Sequence, residues 1–170
     1  EMEEGELRLS LIDHLEPSPA NSNGMLLVVD EAHTLPLKLL EEIRMMTNLV
    51  RDGQPRVRLV LAGASRLEER FAPPKLESLQ QRVAARCYLQ SLNYDETLEY
   101  VNFQVRYAGG DTGSLFSDEA LTAVHRATGG VPRLINQVCD HALLMASLGG
   151  QQTLQAATIE EAWADLQQLP

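Results

Sequence analysis

Lysine is almost absent from this sequence, with only Lys38 and Lys75 set against twelve arginines. Cysteine is limited to Cys87 and Cys139, which lack metal-ligand spacing and read as buried reduced thiols. The four histidines, His14, His33, His125 and His141, form no i,i+4 pair, which excludes a zinc site of that kind. Aromatic residues make up 5%, too few for base-stacking platforms. No run approaches the ~20 apolar residues of a membrane span. The opening Glu-Met-Glu-Glu is acidic rather than basic, so no signal peptide is read there. Net charge is −10, which argues against free-standing nucleic-acid binding but leaves room for a local basic patch.

What is present suffices for one domain, or for one core with a small appendage: 170 residues, 44% of them hydrophobic. The chain is organised around Met25-Leu26-Leu27-Val28-Val29-Asp30-Glu31-Ala32-His33. Five apolar residues without alternation predict a parallel strand buried on both faces. Its carboxyl end, where ligands sit in open α/β sheets, carries two carboxylates. An apolar strand ending in Asp-Glu is the Walker B pattern of P-loop nucleotidases, in which the Asp holds Mg²⁺ and the Glu orients the attacking water. The plainer reading is a strand–helix corner that Asp30 helps to cap.

Residues 1–16 carry both a strand-like and a helical leucine pattern, and we expect a helix. Residues 17–24 read as a loop by composition. Thr34-Leu35-Pro36 opens a helix whose Leu39, Ile43, Met46 and Val50 should face the sheet. Asp52-Gly53-Gln54-Pro55 ends it, and residues 57–62 form the next strand, making a right-handed βαβ unit. Residues 66–82 predict one or two short helices broken at Pro73-Pro74, and residues 83–89 a short strand. From there only helices are expected. Asn93-x-x-Glu96 caps the first, Ser117 the second, Pro132 opens the third, and Thr158-x-x-Glu161 caps the fourth. Strands first and helices afterwards mark an α/β core over 1–92 and a helical subdomain over 93–170.

A second signal lies in Thr128-Gly129-Gly130-Val131-Pro132-Arg133. An arginine in a helix's first turn sits poorly with the helix dipole, and such cations often bind an anion jointly with the helix N-terminus. The alternative is a solvated surface arginine.

Together these features resemble the AAA+ ATPases, in the branch of general secretion pathway protein A and the related transposition-helper ATPases. The resemblance covers residues 25 to about 166. It is carried by Leu-Leu-Val-Val-Asp-Glu-Ala-His at 26–33, Leu-Val-Leu-Ala-Gly at 59–63 and Leu-Gln-Gln-Arg-Val at 79–83. Further along, Leu-Phe-Ser-Asp-Glu-Ala-Leu at 115–121 and Gly-Gly-Val-Pro-Arg-Leu-Ile-Asn at 129–136 extend it. The resemblance implies a partial parallel-sheet P-loop core followed by an all-helical lid. It also implies ATP and Mg²⁺ as cofactors of the full-length protein, with Asp30 positioning the metal and Glu31 activating water. Arg133 matches sensor 2, a lid arginine reaching the γ-phosphate. Arg82, with Arg86 as second choice, matches the region that presents an arginine finger to a neighbouring subunit. A guanidinium suits both tasks, being always charged and forked onto phosphate oxygens. The competing role for Arg82 is a salt bridge to Glu77 or Glu68.

Two departures accompany the resemblance. Where many relatives carry a polar sensor 1 residue, this chain has Gly63-Ala64-Ser65. Ala64 has no side-chain hydrogen bond to offer, and Ser65 is the weak substitute. In addition, Gly-x-x-x-x-Gly-Lys-Ser/Thr, whose amides and lysine cradle the phosphates, does not occur in the sequence. The expectation is a fragment of a larger ATPase that begins after the P-loop and is inactive alone.

The expected partners are ATP, further copies of the chain in a ring or filament, and a protein to be remodelled. DNA is left open by the transposition-helper relatives and unsupported by the charge. The expected location is the cytoplasm, with the full-length parent attached to the inner membrane as a variant. Two other readings compete. Asp30-Glu31-Ala32-His33 also spells motif II of DEAH-type helicases, but the Ser-Ala-Thr element expected after the next strand is missing. The non-enzyme alternative is a nucleotide-free adaptor acting through protein contacts.

Overall fold

The computed structural model describes residues 4–15 and 24–168; most of the loop expected over 17–24 lies outside them. The described chain divides into two compact units, residues 1–86 and 87–170.

The first unit opens with helix α1 (Glu4–His14). Strand β1 (Met25–Val29) follows, then a 3-10 turn over Ala32–Thr34 and helix α2 (Leu37–Met46). A hairpin of β2 (Val50–Arg51) and β3 (Gln54–Pro55) leads into β4 (Val57–Leu61). Short helices α3 (Arg66–Arg70) and α4 (Glu77–Gln80) flank a 3-10 turn at Pro74–Leu76. β1 and β4 pair in parallel, with Met25 opposite Val57 and Val29 opposite Leu61. Strand, helix and parallel strand thus form the expected βαβ unit.

Three details differ from expectation. First, β1 is not buried on both faces. Leu26 is 62% and Val28 59% exposed, and the register sets Val28 beside the exposed Val60. One face of the sheet therefore stays open among the described residues, and α1 does not cover it. The other face presents Leu61 to a core of Leu40, Phe71, Leu76 and Leu79. A fully buried leucine of this kind contributes roughly 1.5–3 kcal/mol. Second, the buried stripe of α2 is Leu40 and Ile43, while Leu39 and Val50 are exposed. Both phases of the leucine pair at 39–40 fit a helical period, and packing against Leu76 and Leu79 selects the second. Third, the segment after α2 is a hairpin turned by Asp52-Gly53, both at positive φ, as two-residue turns of this type demand.

Arg56, unexpectedly buried, ties this unit together. Its Nε donates to Leu15 O, its carbonyl accepts from Met25 N, and its N–H donates to Leu49 O. Residues 83–93 contain no strand, and residues 83–91 are exposed throughout, including Cys87 and Leu89 (96%). A strand needs a partner ladder, and no described strand lies along this segment; the reading of Cys87 as a buried thiol fails for the same reason.

The second unit is helical: α5 (Tyr94–Tyr107), α6 (Thr112–Leu115), α7 (Asp118–Thr128), α8 (Pro132–Gly149) and α9 (Ala156–Gln168). Asn93 and Glu96 form a reciprocal capping box, and Ser117 caps α7 through Ala120 N. α9 starts two residues earlier than Thr158, which is buried inside the first turn and donates to Gln151 instead of capping. The core joins Val101, Phe116, Val124, Ile135, Val138 and Ile159 with their neighbours. The turn before α8 is held by Leu92, whose N–H donates to Gly130 O at 2.8 Å. A Cβ at Gly130 would lie 1.8 Å from Leu92 O, so this position, at φ +73°, accepts only glycine.

Candidate functional site

The carboxylates sit in a deliberate irregularity of the sheet. Ala62 N donates to Val29 O at 2.9 Å, as a parallel ladder requires. In a regular continuation Ala62 O would accept from Glu31 N. It accepts from Ala32 N instead, at 2.9 Å. One residue is thereby extruded, and Asp30 and Glu31 project from the carboxyl end of β1. Glu31 takes the left-handed conformation, φ 51° and ψ 29°. For a residue with a Cβ this costs roughly 1–2 kcal/mol, and strain of this kind persists where its surroundings over-determine it. Here they do. The Glu31 N–H donates to Asp30 Oδ1 at 2.8 Å, and the Glu31 carbonyl accepts from both the N–H and the hydroxyl of Thr34, each at 2.8 Å.

The Glu31 side chain is 69% exposed. Behind it stands His33, 7% exposed. His33 Nε2 lies 3.4 Å from Glu31 Oε2. On the ring's other side, Ala64 N donates to His33 Nδ1 at 3.1 Å. Sequence reasoning counted His33 as one letter of a motif and missed this contact, which spans 31 positions along the chain. It also explains Gly63-Ala64 after β4: the backbone N–H of Ala64, not a side chain, supplies the polar group at that strand's end.

Oxygen donors of this type suit a hard cation. Mg²⁺ is bound through one or two carboxylates together with waters and substrate phosphates rather than in an all-protein cage. Asp30 fits that pattern, with Oδ1 engaged by Glu31 N and the carboxylate exposed. Among the described residues no group of three or more His, Cys, Asp or Glu gathers for a metal.

The arginines fall elsewhere. Arg82 follows α4, is exposed, and donates from Nη1 to Thr47 Oγ1 at 3.0 Å. Thr47 closes the C-terminal end of α2, whose ten residues span ~15 Å from the end nearer Glu31. The structure therefore does not bring Arg82 onto the Asp30–Glu31 pair of its own chain. Nor does it pair Arg82 with Glu77 or Glu68; Glu68 pairs with Arg86 at 2.9 Å. Arg133 belongs to the second unit, exposed in the first turn of α8, whose cap Val131 offers no side-chain acceptor. A separate cleft of about 300 Å³ in that unit is walled mainly by apolar residues of α5 and α8 and contains Cys139. Burial, and secondarily the charge of Asp140, pushes the Cys139 thiol up to about 12.

Comparison with known proteins adds four findings. The family described as AAA domain matches residues 3–71. General secretion pathway protein A of Aeromonas hydrophila is 37% identical over 142 residues, covering 84% of this chain and 26% of that protein. The Thermotoga maritima RuvB Holliday junction branch migration motor superposes with a TM-score of 0.68 at 15% identity, over 98% of this chain and 50% of its own. The Aeropyrum pernix ORC2 protein superposes with 0.67 at 16% identity, over 99% and 47%. The chain thus spans about a quarter of the secretion protein and about half of each solved structure. The solved structures share its fold, α/β with a parallel sheet and many helices.

Proposed function

The chain belongs to the AAA+ ATPases of the general secretion pathway protein A type, and on that premise we propose that it supplies the metal-handling and water-handling side of an ATP-hydrolysis site. The observation that carries this reading is the extruded Asp30–Glu31 pair, held out at a strand's carboxyl end with Glu31 in a strained, over-determined conformation. Strain of this kind clusters at active sites and ligand clamps, where it aims a side chain.

In this reading Asp30 is the Walker B aspartate, the residue that would hold Mg²⁺. The ion, when bound, neutralises charge on the phosphates. Glu31 has an exposed carboxylate and accepts a hydrogen bond from the attacking water, orienting it toward the γ-phosphate. Arg133 acts as sensor 2 from the lid, where a free helix N-terminus and a guanidinium both favour the same anion. Arg82, fastened to the far end of α2, reaches the nucleotide of a neighbouring subunit as an arginine finger, with Arg86 held in its pair with Glu68. Residues 1–92 form the core part and residues 93–170 the lid. The whole protein couples hydrolysis to remodelling of a protein or protein–DNA partner, in a ring or filament, in a secretion pathway. Among the described residues no helix is long and apolar enough to cross a membrane.

The test is ATP turnover by the protein that carries this chain, titrated with Mg²⁺. Turnover should require the ion, and Asp30→Asn should raise the Mg²⁺ needed for half-maximal rate by about tenfold or more. Absence of turnover, or turnover indifferent to Mg²⁺, overturns the reading.

A further inference from the structure

We propose that His33 is a positioning residue that couples the end of β4 to the Glu31 carboxylate; the proposal rests on the hydrolase reading above and adds to it a residue that the reading does not use. An N–H that donates to His33 Nδ1 requires a lone pair on that nitrogen, which places the ring's proton on Nε2. Nε2–H then faces Glu31 Oε2 at 3.4 Å. At that separation the contact is longer than a strong hydrogen bond. It biases one carboxylate oxygen without clamping the group, and leaves the other for a water.

The ring is held for this task. It is buried, accepts from Ala64 N, and lies where a Cβ on Gly63 would come within 2.9 Å of Nδ1. Ala32 N and Ala62 O close the ladder directly before it. Any shift of the Gly63-Ala64 turn therefore moves the imidazole, and the imidazole moves the carboxylate. Two elements 31 positions apart in the chain are joined through one side chain to the water-orienting group.

Two substitutions separate the ring's two bonds. Glutamine can place an N–H donor near the position of Nε2, whereas asparagine can place an acceptor near Nδ1 but cannot reach Glu31. ATP turnover by the protein carrying the chain should fall about tenfold or more in kcat for His33→Asn, with KM nearly unchanged. His33→Gln should keep kcat within about threefold of wild type. A second readout needs no nucleotide: nitrogen NMR of the chain should show His33 protonated on Nε2 and bare on Nδ1. The amide of Ala64 should keep its protection from exchange in His33→Asn and lose it in His33→Gln. Equal kcat for wild type and His33→Asn, or a ring protonated on Nδ1, overturns the role of His33 while leaving the hydrolase reading intact. A wild type without turnover overturns the hydrolase reading, and the role of His33 with it.

Discussion

Gly63 and His33 share one volume: a Cβ on the glycine would lie 2.9 Å from His33 Nδ1 and 3.3 Å from the His33 backbone nitrogen. Gly63 is not in the left-handed region, so a substitution meets a steric cost rather than a backbone one. Gly63→Ala should destabilise the chain by about 1–3 kcal/mol, the usual range for overpacking. Urea denaturation measures it. Stability equal to wild type would mean that the ring yields freely and that the junction is not rigid.

Glu31→Gly separates strain from function. Relief of the left-handed conformation is worth roughly 1–2 kcal/mol, offset by about 0.5–1 kcal/mol of glycine's extra chain entropy. The variant should therefore unfold at the same denaturant concentration as wild type or slightly higher, while losing hydrolysis. A loss of more than about 1 kcal/mol would show that the Glu31 side chain is itself a structural support.

The two thiols should differ in reactivity. Cys87 is exposed and should be alkylated within minutes at pH 8, whereas Cys139 should react only on unfolding. Because the folded thiol of Cys139 ionises at about 12 against 9.0 in the absence of burial, the unfolded state loses its proton first. The stabilisation is complete below pH 9 and is lost as pH rises from 9 toward 12. Mass spectrometry after iodoacetamide gives the count, and two labels on the folded chain would contradict the burial.

Much of this architecture is written in local signals. The run at 25–29 marks its strand, and the caps Asn93 and Ser117 together with Pro132 at the first helical position mark three helices, because each depends on residues a few positions apart. The hairpin at Asp52-Gly53 was equally local and went unread. What could not be read depends on distant partners. Residues 83–89 have strand-like composition but no described ladder to join. Leu39 and Leu40 are separated only by what packs against α2. At the site, Asp30 and Glu31 announce themselves by position, whereas the role of His33 rests on Ala64, a residue whose side chain carries no information.

Arg82 makes the assembly testable. Arg82 donates to Thr47 at the C-terminal end of α2, away from the Asp30–Glu31 pair of its own chain, so the proposed finger role requires a phosphate held by another subunit. Chains carrying Arg82→Ala mixed with chains carrying Glu31→Gln should regain turnover at hybrid interfaces, up to about a quarter of wild type for random pairing. A mixture as inactive as either parent would contradict action between subunits.

Whether Glu31 orients the water that attacks ATP is decided by ATP binding and turnover of Glu31→Gln beside wild type, in the protein that carries this chain. The amide keeps the size and the left-handed backbone of Glu31 but cannot serve as a base. ATP affinity should be unchanged and turnover lowered by about 10²-fold or more. Undiminished turnover would contradict that role.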